Sequence, residues 1–317
     1  MRVLVIAPDD AGGALYRWTR ALRASDTAHA RLVTLQDAPP PPFGPRADLS
    51  RIHDGGQELQ TLVDTVDVVH LVDLLPSEIP FADRLPGRAR PPRCVLHWTG
   101  TAVDRGRHLS RLAERTGCPL IAHRPRWPHA TFLPPWVSQG VAPWLPVPPG
   151  TRARNRSATV VVFASNPRPL TAHPRLEALI DRAEAWATRS PAGRTYRVEV
   201  VVDPSARAIA QRRRRAHVTL ADAEGEMPRE ALESLVQGLP AIAELAPHVR
   251  QAYEALCDAP VPVFAPEVLP DLLRELEATA DPLPLWSSWG CRATSPERWM
   301  RTCAKLYADA PEITAAL

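Results

Sequence analysis

Short unbroken apolar runs alternate along this chain with stretches whose apolar residues recur every three or four positions. The run at 3–7 (VLVIA) has the make-up of a strand covered on both faces. Two glycines, Gly12 and Gly13, follow it in a turn, and then Leu15, Trp18, Ala21 and Leu22 fall at helical spacing. The opening therefore predicts strand, glycine turn and helix, the first piece of a βαβ unit. Further strands are expected at 31–35, 66–72 and 93–97, with helices at 57–65 and 107–115. The proline-rich tract at 38–45 can continue neither kind of element and reads as a loop. Alternation of this kind predicts a mostly parallel α/β sheet.

Prolines crowd the chain again at 132–150, a polar stretch follows to 157, and the next strong strand is expected at 159–164. The domain boundary is placed there, giving an amino-terminal Rossmann-like domain at 1–148 and a second at 149–294. The second half repeats the alternation, with strands at 197–202, 217–220, 241–243 and 261–264 and helices at 175–188, 206–214, 229–237, 248–256 and 269–279. A closing helix within 295–317 is expected to pack back on the first domain. It opens well, because Ser295 can cap it, Pro296 suits its first turn and Glu297 favours its positive end.

Composition narrows the picture. A chain of 317 residues has the length of about two domains, and 45% apolar with 23% charged residues is ordinary for a folded soluble protein. No uncharged apolar run approaches the roughly 20 residues of a membrane span, so none is expected. Every basic residue but Lys305 is arginine, which beside 36 prolines reads as codon bias, and a net charge of +3 is modest for a protein whose main work is gripping nucleic acid. The five cysteines form no C-x-x-C pair and the start does not read as a secretory signal. Reduced thiols and a cytoplasmic location are expected.

The signatures G-x-S-x-G, H-E-x-x-H, G-x-x-x-x-G-K-[ST] and the kinase set are absent, which removes serine hydrolases, zincins, P-loop proteins and kinases. The glycine pair lacks the third glycine of a dinucleotide fingerprint, and no strict D-x-D triplet clamps a diphosphate through a metal. No cofactor and no metal site is expected.

Three segments remain. Gly12 and Gly13 lie where a strand ends and where backbone without Cβ can approach a phosphate or sugar; a plain tight turn has the same make-up. His97, Trp98 and Gly100, in HWTGT at 97–101, again follow an apolar strand. There a histidine could donate to a substrate oxygen and a tryptophan could wall it, although a buried structural histidine reads alike. In 220–240 an acidic loop leads into a helix, and Glu226, Glu230 and Glu233 fall at i, i+4, i+7 and could share a face; carboxylates complementing a helix dipole have the same pattern. The run at 212–215 (RRRR) reads as a solvated end of a helix.

Taken in order, the glycine pair, VDVVHLVD at 66–73, HWTGT at 97–101, LPVPPGT at 145–151 and EALESLVQGLPAIAEL at 230–245 resemble the retaining GT-B glycosyltransferases of family 4, the group 1 type. The resemblance spans nearly the whole chain. It implies two Rossmann-like domains with an interdomain cleft, and metal-independent transfer of a hexosyl group from a nucleotide sugar to an acceptor that no motif specifies. Residue by residue it implies catalytic roles for His97, Glu224 and Glu226, donor binding by Gly12, Gly13, Arg168 and Glu233, and acceptor or sugar contact by Trp98, Gly100 and Thr101. The chain departs from the pattern in three places. The family spaces two glutamates eight apart, whereas Glu233 lies nine from Glu224 and seven from Glu226. The family's donor-binding arginine and lysine are replaced by Arg168, with Arg175 nearby, and Ala102 stands where an aspartate is common. Two further readings follow: a catalytically silent GT-B-like protein binding a sugar, nucleotide or partner protein, and a glycosyltransferase acting on modified bases in DNA, which would need an Arg-rich surface on the first domain.

Overall fold

The computed structural model describes residues 1–9, 13–36, 47–50, 56–100, 102–137, 139, 159–166, 174–187, 195–202, 206–221, 225–278 and 283–313. The chain divides into two compact units, Met1–Trp136 with Ser295–Leu317, and Val137–Thr294. The expected loop at 38–45 and the expected boundary at 148–149 lie outside the described residues.

In unit 1, β1 (Arg2–Ala7), β2 (His29–Thr34), β3 (Leu49–Ser50), β4 (Val68–Val72), β5 (Arg93–Trp98), β6 (Leu120–Ala122) and β7 (Thr131–Phe132) form one parallel sheet in the order β3-β2-β1-β4-β5-β6-β7. Helices α1 (Ala14–Ala24), α2 (Gly56–Thr65) and α3 (Val103–Thr116) connect the strands. Alternation along each strand divides the core. Leu4, Ile6, Val69, Leu71, Leu96 and Trp98 pack with Leu59 and Val63 of α2 and Leu109 and Leu112 of α3. Val3, Val5, Val68, Val72 and Val95 point the other way, against Trp18 and Leu22 of α1. Strands β6 and β7, three and two residues long, are too short to leave a periodic signal in the sequence.

Unit 2 runs β8 (Thr159–Asn166), α4 (Pro174–Ala187), β9 (Thr195–Val202), α5 (Ala206–Arg213), β10 (Val218–Leu220), α6 (Arg229–Val236), β11 (Ala241–Ile242), α7 (Pro247–Cys257), β12 (Val263–Phe264), α8 (Leu269–Ala278) and α9 (Leu283–Ala293). Its parallel sheet has the order β12-β11-β10-β8-β9. Helix α9 is the element that local pattern misses, since Pro284 reads as a breaker yet sits at the second helical position, where its missing N–H costs nothing. It crosses α6 so closely that a Cβ on Gly290 would lie 2.5 Å from the backbone nitrogen of Val236.

The last helix, α10 (Pro296–Asp309), belongs to unit 1. Ser295 caps it as expected, its hydroxyl accepting from the Arg298 N–H at 3.2 Å. Trp299, Cys303 and Tyr307 bury themselves beside Trp18 on the α1 face of the sheet, and Arg93 of β5 donates to the carbonyls of Tyr307 and Ala308 at 2.9 and 3.0 Å. All five cysteines are free thiols. No helix among the described residues is long and apolar enough to cross a membrane.

Candidate functional site

Open parallel sheets hold ligands beyond the carboxyl ends of their strands, where the strand order reverses. In unit 1 that point lies between β1 and β4, and in unit 2 between β8 and β10. The residues just past these strand ends are therefore the candidates.

In unit 1, Gly13 leaves β1 with φ +63° and caps the start of α1. Past β4 comes Asp73, itself at φ +50°, a conformation aspartate tolerates better than most residues. Its carboxylate accepts the Thr99 N–H at 3.0 Å and the Thr99 hydroxyl, and its own N–H donates to the His97 carbonyl at 2.8 Å. This ties the chain past β4 to the turn past β5. The turn itself needs Gly100, whose φ is +92° and whose absent Cβ would lie 2.6 Å from Nε of Arg124.

His97 and Trp98 are neighbours on β5 and so point to opposite faces. Trp98 is fully buried in the core on the α3 side, its ring tilted by 58° against Trp127 at 4.5 Å between centroids, with its indole N–H donated to the Ala102 carbonyl at 3.0 Å. Its ring belongs to that core cluster. His97 is also fully buried, on the α1 and α10 side, but in a line of polar rings. The Tyr307 hydroxyl lies 2.9 Å from Nδ1 of His70, His70 Nε2 lies 3.2 Å from Nδ1 of His97, and His97 Nε2 lies 2.8 Å from Nε2 of His123. Trp18 and Trp299 pack edge-on or tilted against these rings. Burial pushes His70 down to about 3, and burial together with the flanking His123 and His70 holds His97 well below the usual imidazole range. Both are neutral at physiological pH. His123, just past β6, is the half-buried member of the line.

In unit 2, the acidic segment does not form one face. Helix α6 begins at Arg229, so Glu226 lies ahead of it, in a half-buried loop where Gly225 (φ +84°) exchanges backbone bonds with Glu244 and Ala246. Glu233 sits on α6 with one carboxylate oxygen 3.0 Å from Nε of Arg229 and the other 3.2 Å from Nη1 of Arg213. Arg213 departs from the solvated reading of the arginine run: its side chain is wholly buried, whereas Arg212 and Arg215 are exposed. Burial and the adjacent Glu233 push the Glu230 carboxyl up. Gly12, Thr101, Arg168 and Glu224 lie outside the described residues. In the sequence Arg168 comes two residues after the end of β8 and Glu224 four after the end of β10. Among the described residues no group of three or more histidine, cysteine, aspartate or glutamate side chains is arranged to hold a metal ion.

Sequence reading missed Asp73 and Thr99 as site residues, although both directly follow apolar strands, the signal that picked out His97. It missed His123 because β6 is too short to announce its end, and Tyr307 because nothing local connects it to the rim.

No protein-family model and no curated protein matches this chain. Solved structures match its fold. A sucrose-phosphate synthase from Thermosynechococcus elongatus aligns with a TM-score of 0.57 at 13% identity, covering 97% of this chain and 98% of that one. An alpha-glucosyltransferase in complex with UDP and a DNA 13-mer containing a HMU base aligns with a TM-score of 0.56 at 9% identity, over 98% and 100%. An O-GlcNAc transferase of Thermobaculum terrenum aligns with a TM-score of 0.51 at 17% identity, over 97% of this chain and 68% of that one. The fold of this chain is of the GT-B type, two Rossmann-like α/β units.

Proposed function

We propose that this chain is a glycosyltransferase that moves a sugar from a nucleotide-activated donor to an acceptor. The observation that carries the reading is the alignment of nearly the whole chain, both parallel sheets included, with glycosyltransferases, one of them holding UDP. Unit 2 takes the donor and unit 1 the acceptor, and the transfer is retaining and metal-independent. The leaving diphosphate then needs positive potential from the protein, which Arg168 and backbone amides beside Gly12 and Gly13 supply. Glu233 holds donor hydroxyls, its carboxylate fixed in place between Arg229 and Arg213. Glu224 or Glu226 contacts the transferred sugar, Gly100 and Thr101 shape the acceptor turn, and His97 acts from behind the rim.

A second reading, transfer to a modified base in DNA, draws on the UDP- and DNA-bound neighbour and on one surface feature. A groove of about 410 Å³ beside α3 is lined by His108, Arg111 and Arg115 over Leu75, Pro76 and Leu112, and neither arginine has an ion-pair partner among the described residues. Duplex binding that weakens steeply with salt and is lost in an Arg111→Ala, Arg115→Ala variant supports this acceptor.

Thermal unfolding against a panel of nucleotides and nucleotide sugars tests the donor site. A ligand at 100 times its dissociation constant adds about 2.7 kcal/mol. A shift with one nucleotide, followed by hydrolysis or transfer from the matching sugar, supports an enzyme. A shift without turnover supports the silent binding protein, and no shift with any donor overturns the donor site.

A further inference from the structure

Four strands stand at the edges of the two sheets, and three of them, β3, β7 and β12, are two residues long. A strand that short offers another chain little to pair with, which is one way a fold keeps its open edges from associating. The fourth edge is β9. It runs for eight residues as TYRVEVVV, holds no proline or glycine, and pairs with β8 along its whole length on one side. No strand among the described residues pairs with its other side. Alternate N–H and C=O groups of a strand face outward at such an edge, in an array that a further strand completes.

We propose that the free edge of β9 takes a second copy of this chain, β9 against β9 in antiparallel direction about a two-fold axis at Val198, so that the two unit 2 sheets run on as one. The pairing does not depend on the transferase reading.

The charges of the strand select the occupant. Val198 and Val200 face α4, where they pack with Leu176 and Leu179. Arg197, Glu199 and Val201 alternate with them and face the other way, toward α5. There Val201 packs with Ile209, and Glu199 holds Arg212 at 3.4 Å. Arg197 is exposed and makes no ion pair among the described residues. In an antiparallel pair, residues directly opposite each other have their side chains on the same face, close enough to interact. With Val198 opposite its own copy, Arg197 stands opposite the partner's Glu199, and Glu199 opposite the partner's Arg197. Two copies paired parallel in the same register would instead set arginine against arginine and glutamate against glutamate. An edge guarded by charges of a single sign repels a second copy in either direction, whereas one charge of each sign, two positions apart, is complementary to itself in the antiparallel direction alone.

An isologous contact of this kind uses the same edge on both chains, and the far edge of each unit 2 sheet is the two-residue β12, so assembly closes at two. Strand β9 is not one of the two that flank the reversal point of this sheet, so pairing and donor binding are separate properties.

Sedimentation velocity of the full chain at up to about 100 μM, the range that a small interface calls for, tests the pairing. The expected result is a monomer–dimer equilibrium. Arg197→Glu makes these two positions both acidic, and Glu199→Arg makes them both basic. Each variant alone should dimerise about tenfold more weakly or worse, because two contacts between opposite charges become two between like charges. Mixed in equal amounts, the two variants should recover the parent's affinity as a heterodimer, since every contact is then between opposite charges again. Thermal unfolding compares each variant's fold with the parent's. Arg197→Glu, at an exposed position outside any described ion pair, keeps the test standing where loss of the Arg212 contact unsettles Glu199→Arg. A chain monomeric throughout, a species larger than a dimer, a dimer indifferent to Arg197→Glu, or folded variants that fail to pair when mixed each overturn the proposal.

Discussion

A guanidinium without water needs a carboxylate, and Arg213 has found Glu233 on the next helix. The pair is weak evidence of net stabilisation, because both groups were desolvated to form it, but breaking it is costly. Glu233→Ala should lower the free energy of unfolding by about 3 kcal/mol, measured by denaturant titration. The double variant with Arg213→Met should recover part of that loss, since the orphaned charge is then gone. His70 makes a pH-dependent contribution of definite sign. Its folded value of about 3 lies below the ordinary 6.5, so the unfolded chain binds the extra proton. The associated stability is complete above about pH 6.5 and is lost progressively as pH falls toward 3, at up to about 1.4 kcal/mol per pH unit. Denaturation curves between pH 7 and pH 5 should show this slope, reduced in His70→Gln. A slope unchanged by that substitution would assign it to other groups.

Among the elements, the crossing of α6 and α9 depends on one missing side chain. A methyl group on Gly290 would meet the backbone at Leu235 and Val236, at 2.6 and 2.5 Å, and backbone cannot swing aside as a side-chain tip can. Gly290→Ala should therefore cost about 2 kcal/mol, although alanine is the better helix former, and the sign of that change distinguishes packing from propensity. At α10 the effects are local. Ser295→Ala removes the cap bond to Arg298 and should cost about 1 kcal/mol. The Glu297 carboxyl is held low by the backbone N–H of its own residue and by Ser295, so its contribution is present at neutral pH and disappears on acidification. These two helix ends differ in how they are seen. The Ser-Pro-Glu start of α10 is a purely local signal and was legible. Helix α9 has a poor stripe of its own, and its place is decided by α6.

For the whole molecule, unit 1 is closed by the last segment of the chain. A chain ended at Thr294 loses Trp299, Cys303 and Tyr307 from the α1 face of the first sheet, each large side chain contributing about 1.5–3 kcal/mol by burial. Such a truncation should abolish the cooperative unfolding of unit 1 and expose a dye-binding apolar surface, while a transition from unit 2, with its own core, persists. A truncated chain that keeps both transitions would show that α10 is dispensable. Local pattern by itself determined that the chain alternates strand with helix, that β1 is covered on both faces, and that Gly100 and Ser295 mark a turn and a helix start. Those features depend on a residue and its near neighbours, a few positions apart. Tertiary structure decided that Arg213 is buried, that Trp98 turns toward α3, and that Tyr307 lies beside His70 across 237 positions of sequence. Burial and partnership are properties of surfaces brought together by the whole fold, and no spacing along the chain carries them.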